Sequence, residues 1–260
     1  MRGASHAFFR GKILLYIRKE GALLETLPGL CYNSAVKRGL LSGGLPVDKM
    51  GRRNDMSDFK VRPDWMPFCV PDISEKEVEA VSAAVRSGWW ARGPRTSEFE
   101  QKFAEYVGAK YCVAVNSCTA ALHLALLGKG IGPGDEVITT PLTFASTANT
   151  ILHVGATPVF ADIDPETGLI DPKEIEKKIT PRTKAIAPVH YSGLAADLDA
   201  IGKLCDEHNL FLSEDAAHAV ETRYNGELIG HHPRGAVSYS FYATKNLACG
   251  EGGAACRPCG

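Results

Sequence analysis

No stretch of about 18 apolar residues occurs in this 260-residue chain, so no membrane-spanning helix is expected. No charge of one sign dominates either. Lys and Arg number 29 and Asp and Glu 30, a net of −1, which argues against nucleic acid as the main partner. Internal repeats and low-complexity segments are lacking, and 45% of the residues are hydrophobic. Collagen-like and wholly disordered classes are thereby excluded. A secretory signal needs an unbroken apolar core of about 7–15 residues. Here Arg10, Gly11 and Lys12 interrupt the start just after Phe8-Phe9. The eight cysteines are scattered through a long chain without that signal, which reads as reduced thiols rather than a disulfide framework. Cys256 and Cys259 form a C-x-x-C, but no second pair sits at a spacing that would complete four zinc ligands. They read as incidental thiols, and no metal site is expected.

What charge there is divides unevenly. Residues 1–55 carry a net of +6 and residues 56–260 a net of −7. The first part shows scattered glycines and no clear period. It reads as a basic, disordered extension or as sequence upstream of a later start, such as Met50, Met56 or Met66, rather than as a targeting peptide. A well-patterned region begins near Met56.

From there helix and strand signals alternate. Ser74-Glu75-Lys76-Glu77 is a capping box, followed by Val78, Val81 and Val85 at helical spacing and by Gly88 as a stop. Ser97-Glu98-Phe99-Glu100 repeats the device, with Phe99, Phe103 and Tyr106 on one face and Gly108 as the stop. Strands are expected at 111–115, 136–140, 157–161, 184–189, 210–213 and 237–241. Helices are expected at about 118–127 and 144–153, from Asp171-Pro172 onward, and at 197–208. This alternation implies parallel βαβ units and a three-layer α/β/α domain with a mostly parallel sheet.

Ligands of such sheets bind beyond the carboxyl ends of the strands. Four features fall there. Asn116-Ser117-Cys118-Thr119 opens a helix whose free N–H groups suit an anion. Pro141-Leu142-Thr143-Phe144 offers an aromatic face. Glu214-Asp215-Ala216-Ala217-His218 supplies a carboxylate. Tyr242-Ala243-Thr244-Lys245-Asn246 supplies an amine. Taken singly, each has an ordinary reading as cap, core or surface charge. Together they match pyridoxal 5′-phosphate, which needs a Schiff-base lysine, an acid beside the pyridinium nitrogen and a phosphate cradle.

Several ordered words carry a resemblance. They are Gly93-Pro94 with Phe99-Glu100, Asn116 through Leu122, Gly134 through Ile138, Thr143-Phe144, Asp162-Ile163-Asp164, Glu214 through His218, and Ser240 through Asn246 ending in Gly250-Glu251-Gly252-Gly253. Over about 71–253 the chain resembles the DegT/DnrJ/EryC1/StrS sugar aminotransferases of the aspartate aminotransferase superfamily, fold type I. Ser117-Cys118-Thr119 stands where that family commonly has Ser-Gly-Thr. The resemblance implies that Lys245 is the Schiff-base lysine and proton shuttle, and that Asp215 pairs with the pyridinium nitrogen. It implies that Phe144 stacks on the ring, that Cys118, Thr119 and Ser240 bind phosphate, and that His218 lies beside the cofactor. It also implies amino transfer from glutamate to a keto group of a nucleotide-linked deoxysugar, in a cytoplasmic homodimer. Relatives with His in place of the lysine are sugar dehydratases; Lys245 points to the aminotransferase branch.

The family has a smaller C-terminal domain after the glycine-rich word. Residues 254–260 read as a departure from the family pattern. Residues 56–260 are therefore expected to form a cofactor-binding large domain without its small domain. An inactive or cofactor-binding-only fragment, or a PLP-dependent sugar dehydratase, is the alternative.

Overall fold

A computed structural model describes residues 70–231 and 234–257. The basic extension 1–55 and Cys259 lie outside the described residues.

A seven-stranded sheet organises the domain. Its strands are β1 (Tyr111–Val115), β2 (Glu136–Thr139), β3 (Thr157–Phe160), β4 (Thr183–Ala187), β5 (Phe211–Asp215), β8 (Ala236–Ser240) and β9 (Gly253–Arg257). The spatial order is β1-β9-β8-β5-β4-β2-β3. Neighbours from β8 through β5, β4 and β2 to β3 are parallel. β9 runs antiparallel to both β8 and β1, so β1 again runs with the rest. A separate two-stranded ribbon joins β6 (Arg223–Tyr224) to β7 (Glu227–Leu228). It turns at Asn225-Gly226, both at positive φ, the combination a tight hairpin favours.

The helices are α1 (Glu75–Arg86), α2 (Pro94–Val107), α3 (Cys118–Gly128), α4 (Ser146–His153), α5 (Pro172–Glu176) and α6 (Leu198–His208). Side chains alternate across the central strands with period two. Ile138, Ile186 and Leu212 enter one core with Phe103 of α2, Ile175 of α5 and Leu198 and Ile201 of α6. Val137, Ala185 and Ala187 enter the other with Leu126 of α3 and Ile151 of α4. The central strands are thus buried on both faces, as a three-layer parallel sheet requires. The expected α/β/α class is what forms. Phe99, Phe103, Tyr239 and Phe241 interlock with ring centroids 5.1 to 5.5 Å apart, fixing α2 against β8.

Two local expectations are corrected. Ser97 does not cap α2. The helix starts at Pro94, with Gly93 as N-cap and no side-chain cap bond. Pro94 has its φ preset and lacks an N–H that the first turn would leave orphaned, so it moves the start forward by one turn. Glu100, freed from a capping role, is buried instead. It takes Arg92 Nη2 at 2.7 Å and the Ala114 N–H at 3.0 Å, tying α2 to β1. Burial acts to raise its carboxyl, and these donors outweigh that to hold it below the usual range.

The second correction concerns the tail. Of residues 254–260, residues 254–257 continue the sheet, and 258–260 lie outside the described residues. Residues 253–257 form β9, with Tyr111–Val115 on one side and 237–240 on the other. Small residues suit this strand, because α3 packs directly over it.

Candidate active site

The exits of β1, β2, β4, β5 and β8 lie along one edge of the sheet. β5 ends at Asp215, which is 3% exposed. Its Oδ1 accepts the Ala217 N–H at 3.1 Å. Cys118 Sγ lies 3.9 Å from the same oxygen. Burial, and then the charge of Asp215, push the Cys118 thiol well up, with Lys245 opposing. The sulfur therefore stays protonated and is the donor. Thr147 of α4 donates its hydroxyl to Asp215 Oδ2 at 2.7 Å.

β1 ends just before α3. Ser117 caps that helix by accepting the Ala120 N–H at 3.1 Å. The first-turn N–H groups, Cys118 and Thr119 among them, have no intrahelical partner. Ser240, at the end of β8, pairs with Gly253 of β9. Gly253 in turn lies against the helix start. A Cβ placed there would sit 2.4 Å from Ser117 C and 2.5 Å from Cys118 N. Only glycine allows β9 to pass beneath this helix terminus. Ser117, Cys118, Thr119 and Ser240 are thus gathered at one corner, where positive helix ends favour anions. Gly253→Ala should force the helix start away from β9. We expect a stability loss of about 1–3 kcal/mol from the overpacking, read from the denaturant midpoint, and a matching loss of anion binding at the corner.

Phe144 stands in the loop before α4, not inside the helix, and is 78% exposed. Such exposure of a full aromatic ring is unusual for a packed residue.

Lys245 and His218 face a cavity of about 670 Å³, with Ser192, Glu221 and Asn246 also in its wall. Lys245 is half-buried. The cavity wall is pinned by the short turn Tyr191–Gly193. Its Ser192 N–H donates to His218 Nδ1 at 3.3 Å, and Thr222 Oγ1 donates to Gly193 O at 2.7 Å. The Ser192 bond assigns the His218 ring proton to Nε2. Partial burial, then Lys245, hold this imidazole below its usual value, with Asp215 opposing. His218 is accordingly neutral near pH 7. Behind the turn His190 is fully buried. Its Nδ1 accepts the Ala196 N–H at 3.1 Å and its Nε2 donates to Glu214 at 3.0 Å.

The structure therefore brings Cys118, Thr119, Asp215, His218, Ser240 and Lys245 to one edge, with Phe144 on an adjoining loop. Sequence reasoning missed Thr147 and the His190–Ser192 segment. No local signal marked Thr147, whose role comes from a contact with Asp215, 68 positions away. Among the described residues no group of three or more His, Cys, Asp or Glu could hold a metal ion. No helix among them is long and apolar enough to cross a membrane.

The model of the DegT/DnrJ/EryC1/StrS aminotransferase family matches residues 71–257. The chain belongs to that family. It is 58% identical over 192 residues to the spore coat polysaccharide biosynthesis protein SpsC of Bacillus subtilis (strain 168), which covers 74% of this chain and 49% of SpsC. Among solved structures, S. venezuelae DesV in complex with a ketimine intermediate superposes with a TM-score of 0.69 at 42% identity, over 70% of this chain and 49% of that one. The PLP form of Spr1654 from Streptococcus pneumoniae gives 0.70 at 36%, over 74% and 53%. The chain thus spans about half the length of these relatives. Sugar aminotransferases of this family depend on pyridoxal 5′-phosphate, and the site fits that group. An exposed ring, a buried carboxylate, a free helix terminus and a lysine share one edge.

Proposed function

We propose that this chain is the cofactor-binding half of an aminotransferase that moves an amino group from glutamate to a keto group of a nucleotide-linked deoxysugar. The observation that carries the proposal is the placement of Lys245 and His218 in one cavity wall, with the Asp215 carboxylate buried at the adjoining strand end and accepting from Thr147 and Ala217.

When bound, pyridoxal 5′-phosphate supplies an electron sink for a carbanion at the donor's Cα. The residues of this chain do the rest. Cys118 and Thr119, through backbone N–H groups, and Ser240, through its hydroxyl, would hold the phosphate. Asp215 would face the ring nitrogen and favour its protonated form, which deepens the sink. Phe144 would cover one ring face and exclude water from it. Lys245 would hold the cofactor through its side-chain amine and would move the proton at the donor's Cα. His218, neutral with its proton on Nε2, would stand as a donor beside the cofactor. Lys245 supports amino transfer over sugar dehydration, because a free amine can serve as both nucleophile and shuttle.

SpsC is named for spore coat polysaccharide biosynthesis, which supports a role in making a glycan precursor. We place the protein in the cytoplasm, where nucleotide sugars would be drawn on. We also propose that the longer protein is a homodimer. Val78, Val81 and Val85 form an apolar stripe on α1 that is about half exposed or more, and Trp89 and Trp90 follow it. Residues 56–260 are then the large domain of a longer two-domain chain, and 1–55 an extension to it. The test is release of 2-oxoglutarate from glutamate in the presence of a keto-sugar nucleotide. Stoichiometric 2-oxoglutarate and amino sugar support the proposal. Loss of water from the sugar with no 2-oxoglutarate contradicts it.

A further inference from the structure

Thr147 is 1% exposed and no part of the reaction described above uses it. Its hydroxyl lies within reach of three oxygens. Asp215 Oδ2 is at 2.7 Å, Thr143 Oγ1 at 2.6 Å and Phe144 O at 3.2 Å. The hydroxyl has a single hydrogen. The short contact to Asp215 takes it, with Thr147 Oγ1 donating to Oδ2. Its lone pair is then left for Thr143, whose hydroxyl must donate to it. The direction of the relay follows: Thr143 to Thr147 to Asp215.

The other carboxylate oxygen already takes Ala217 N–H and the Cys118 thiol. Thr147 is thus the single described side-chain donor to Oδ2, and it comes from a different element, α4. Thr143 precedes Phe144 directly. The relay joins the acid that would meet one edge of the cofactor ring to the loop that would cover its face.

We propose that Thr147 is a positioning residue for the cofactor: its hydroxyl orients the Asp215 carboxylate and, through Thr143, ties it to the loop bearing Phe144. This role rests on the cofactor assignment proposed above. Thr147 touches neither substrate nor cofactor in this role. It fixes the angle at which the carboxylate is offered and suppresses rotation that would turn a lone pair away from the ring nitrogen.

The test uses apo-protein titrated with pyridoxal 5′-phosphate, following affinity and the visible absorption of the bound cofactor. Thr147→Val keeps the shape and removes the hydroxyl. It should bind the cofactor about tenfold or more weakly, the usual effect of losing a hydrogen bond to a charged group, and shift the absorption maximum. Thr147→Ser restores the hydroxyl and should return both to within about threefold of wild type, a rescue that a packing role would not give. Equal affinity and spectrum in Thr147→Val and wild type overturn the proposal, as does Thr147→Ser behaving like Thr147→Val. If Thr147→Val fails to fold, Thr143→Val carries the test. That variant should weaken binding about two- to threefold through the relay, and an unchanged affinity overturns it. Wild-type protein that takes up no cofactor at all would instead strike down the cofactor assignment, so the two failures are distinguishable.

Discussion

Replacing Lys245 with alanine is expected to remove the visible absorption of the cofactor-loaded protein and to stop exchange of the Cα hydrogen of glutamate with solvent. Lys245 is the one amine among the described residues of the cavity wall. The proposed roles of Lys245, covalent attachment and proton transfer, would be lost together. General acid–base transfer by a positioned side chain alone is worth about 10²–10⁴-fold, so exchange should fall by at least about 10³-fold. Deuterium incorporation into glutamate, followed by NMR, gives the rate without any sugar substrate. Lys245→Arg keeps the charge but not a usable nucleophile, and should be as inactive as alanine. Stability should hardly change, because Lys245 is half-buried at a cavity wall. An alanine variant that still exchanges at the wild-type rate would exclude the lysine from the chemistry.

Asp215→Asn is expected to be nearly as damaging to exchange and, unlike the lysine variant, to lower the melting temperature. Both oxygens of the carboxylate serve as acceptors, for Thr147, Ala217 and Cys118. An amide keeps one oxygen and turns an NH₂ toward groups that are themselves donors. Such a mismatch in a buried place costs about 1–3 kcal/mol. The larger effect is electrostatic. In the proposed role, an amide at 215 would no longer favour a protonated ring nitrogen, and removal of one preorganised partner typically costs about 10²–10³ in rate. Calorimetry and the same deuterium measurement separate the two effects. A variant that melts lower but exchanges normally would make Asp215 purely structural.

Much of this architecture can be read from residue order because its strands are buried on both faces. Apolar runs such as Val137-Ile138 and Ala185-Ile186-Ala187, separated by helices with caps at Ser117, Asp171 and Asp197, leave little choice but parallel βαβ units. The candidate site residues were accessible for a related reason. They lie at or within a few residues after strand ends, as Asp215 and Ser240 do, and those ends share an edge. What escaped was decided by close packing. β9 has the sequence Gly-Ala-Ala-Cys-Arg, which lacks the β-branched residues that mark strands. Its small side chains answer to the helix lying over it, with Gly253 against Ser117 and Cys118. The start of α2 was misplaced because Ser97 and Glu100 mimic a capping box, while Pro94 sets the true first turn. The Asn225-Gly226 turn was a signal present and passed over.

Thr147 belongs to another class of omission. Its meaning depends on a contact with a residue 68 positions away, and nothing in the local pattern of α4 distinguishes it from a helix-surface threonine. The same holds for Cys118. From sequence it stands as a mild departure from Ser-Gly-Thr. In the fold the side chain that glycine would lack points at Asp215.

The central claim is that Lys245 carries the cofactor, and peptide mapping tests it most directly. The cofactor-loaded protein is reduced with borohydride, digested and examined by mass spectrometry. The account predicts one phosphopyridoxyl group per chain, on the peptide containing Lys245. Attachment to another lysine, or no attachment in protein that is folded, would contradict it.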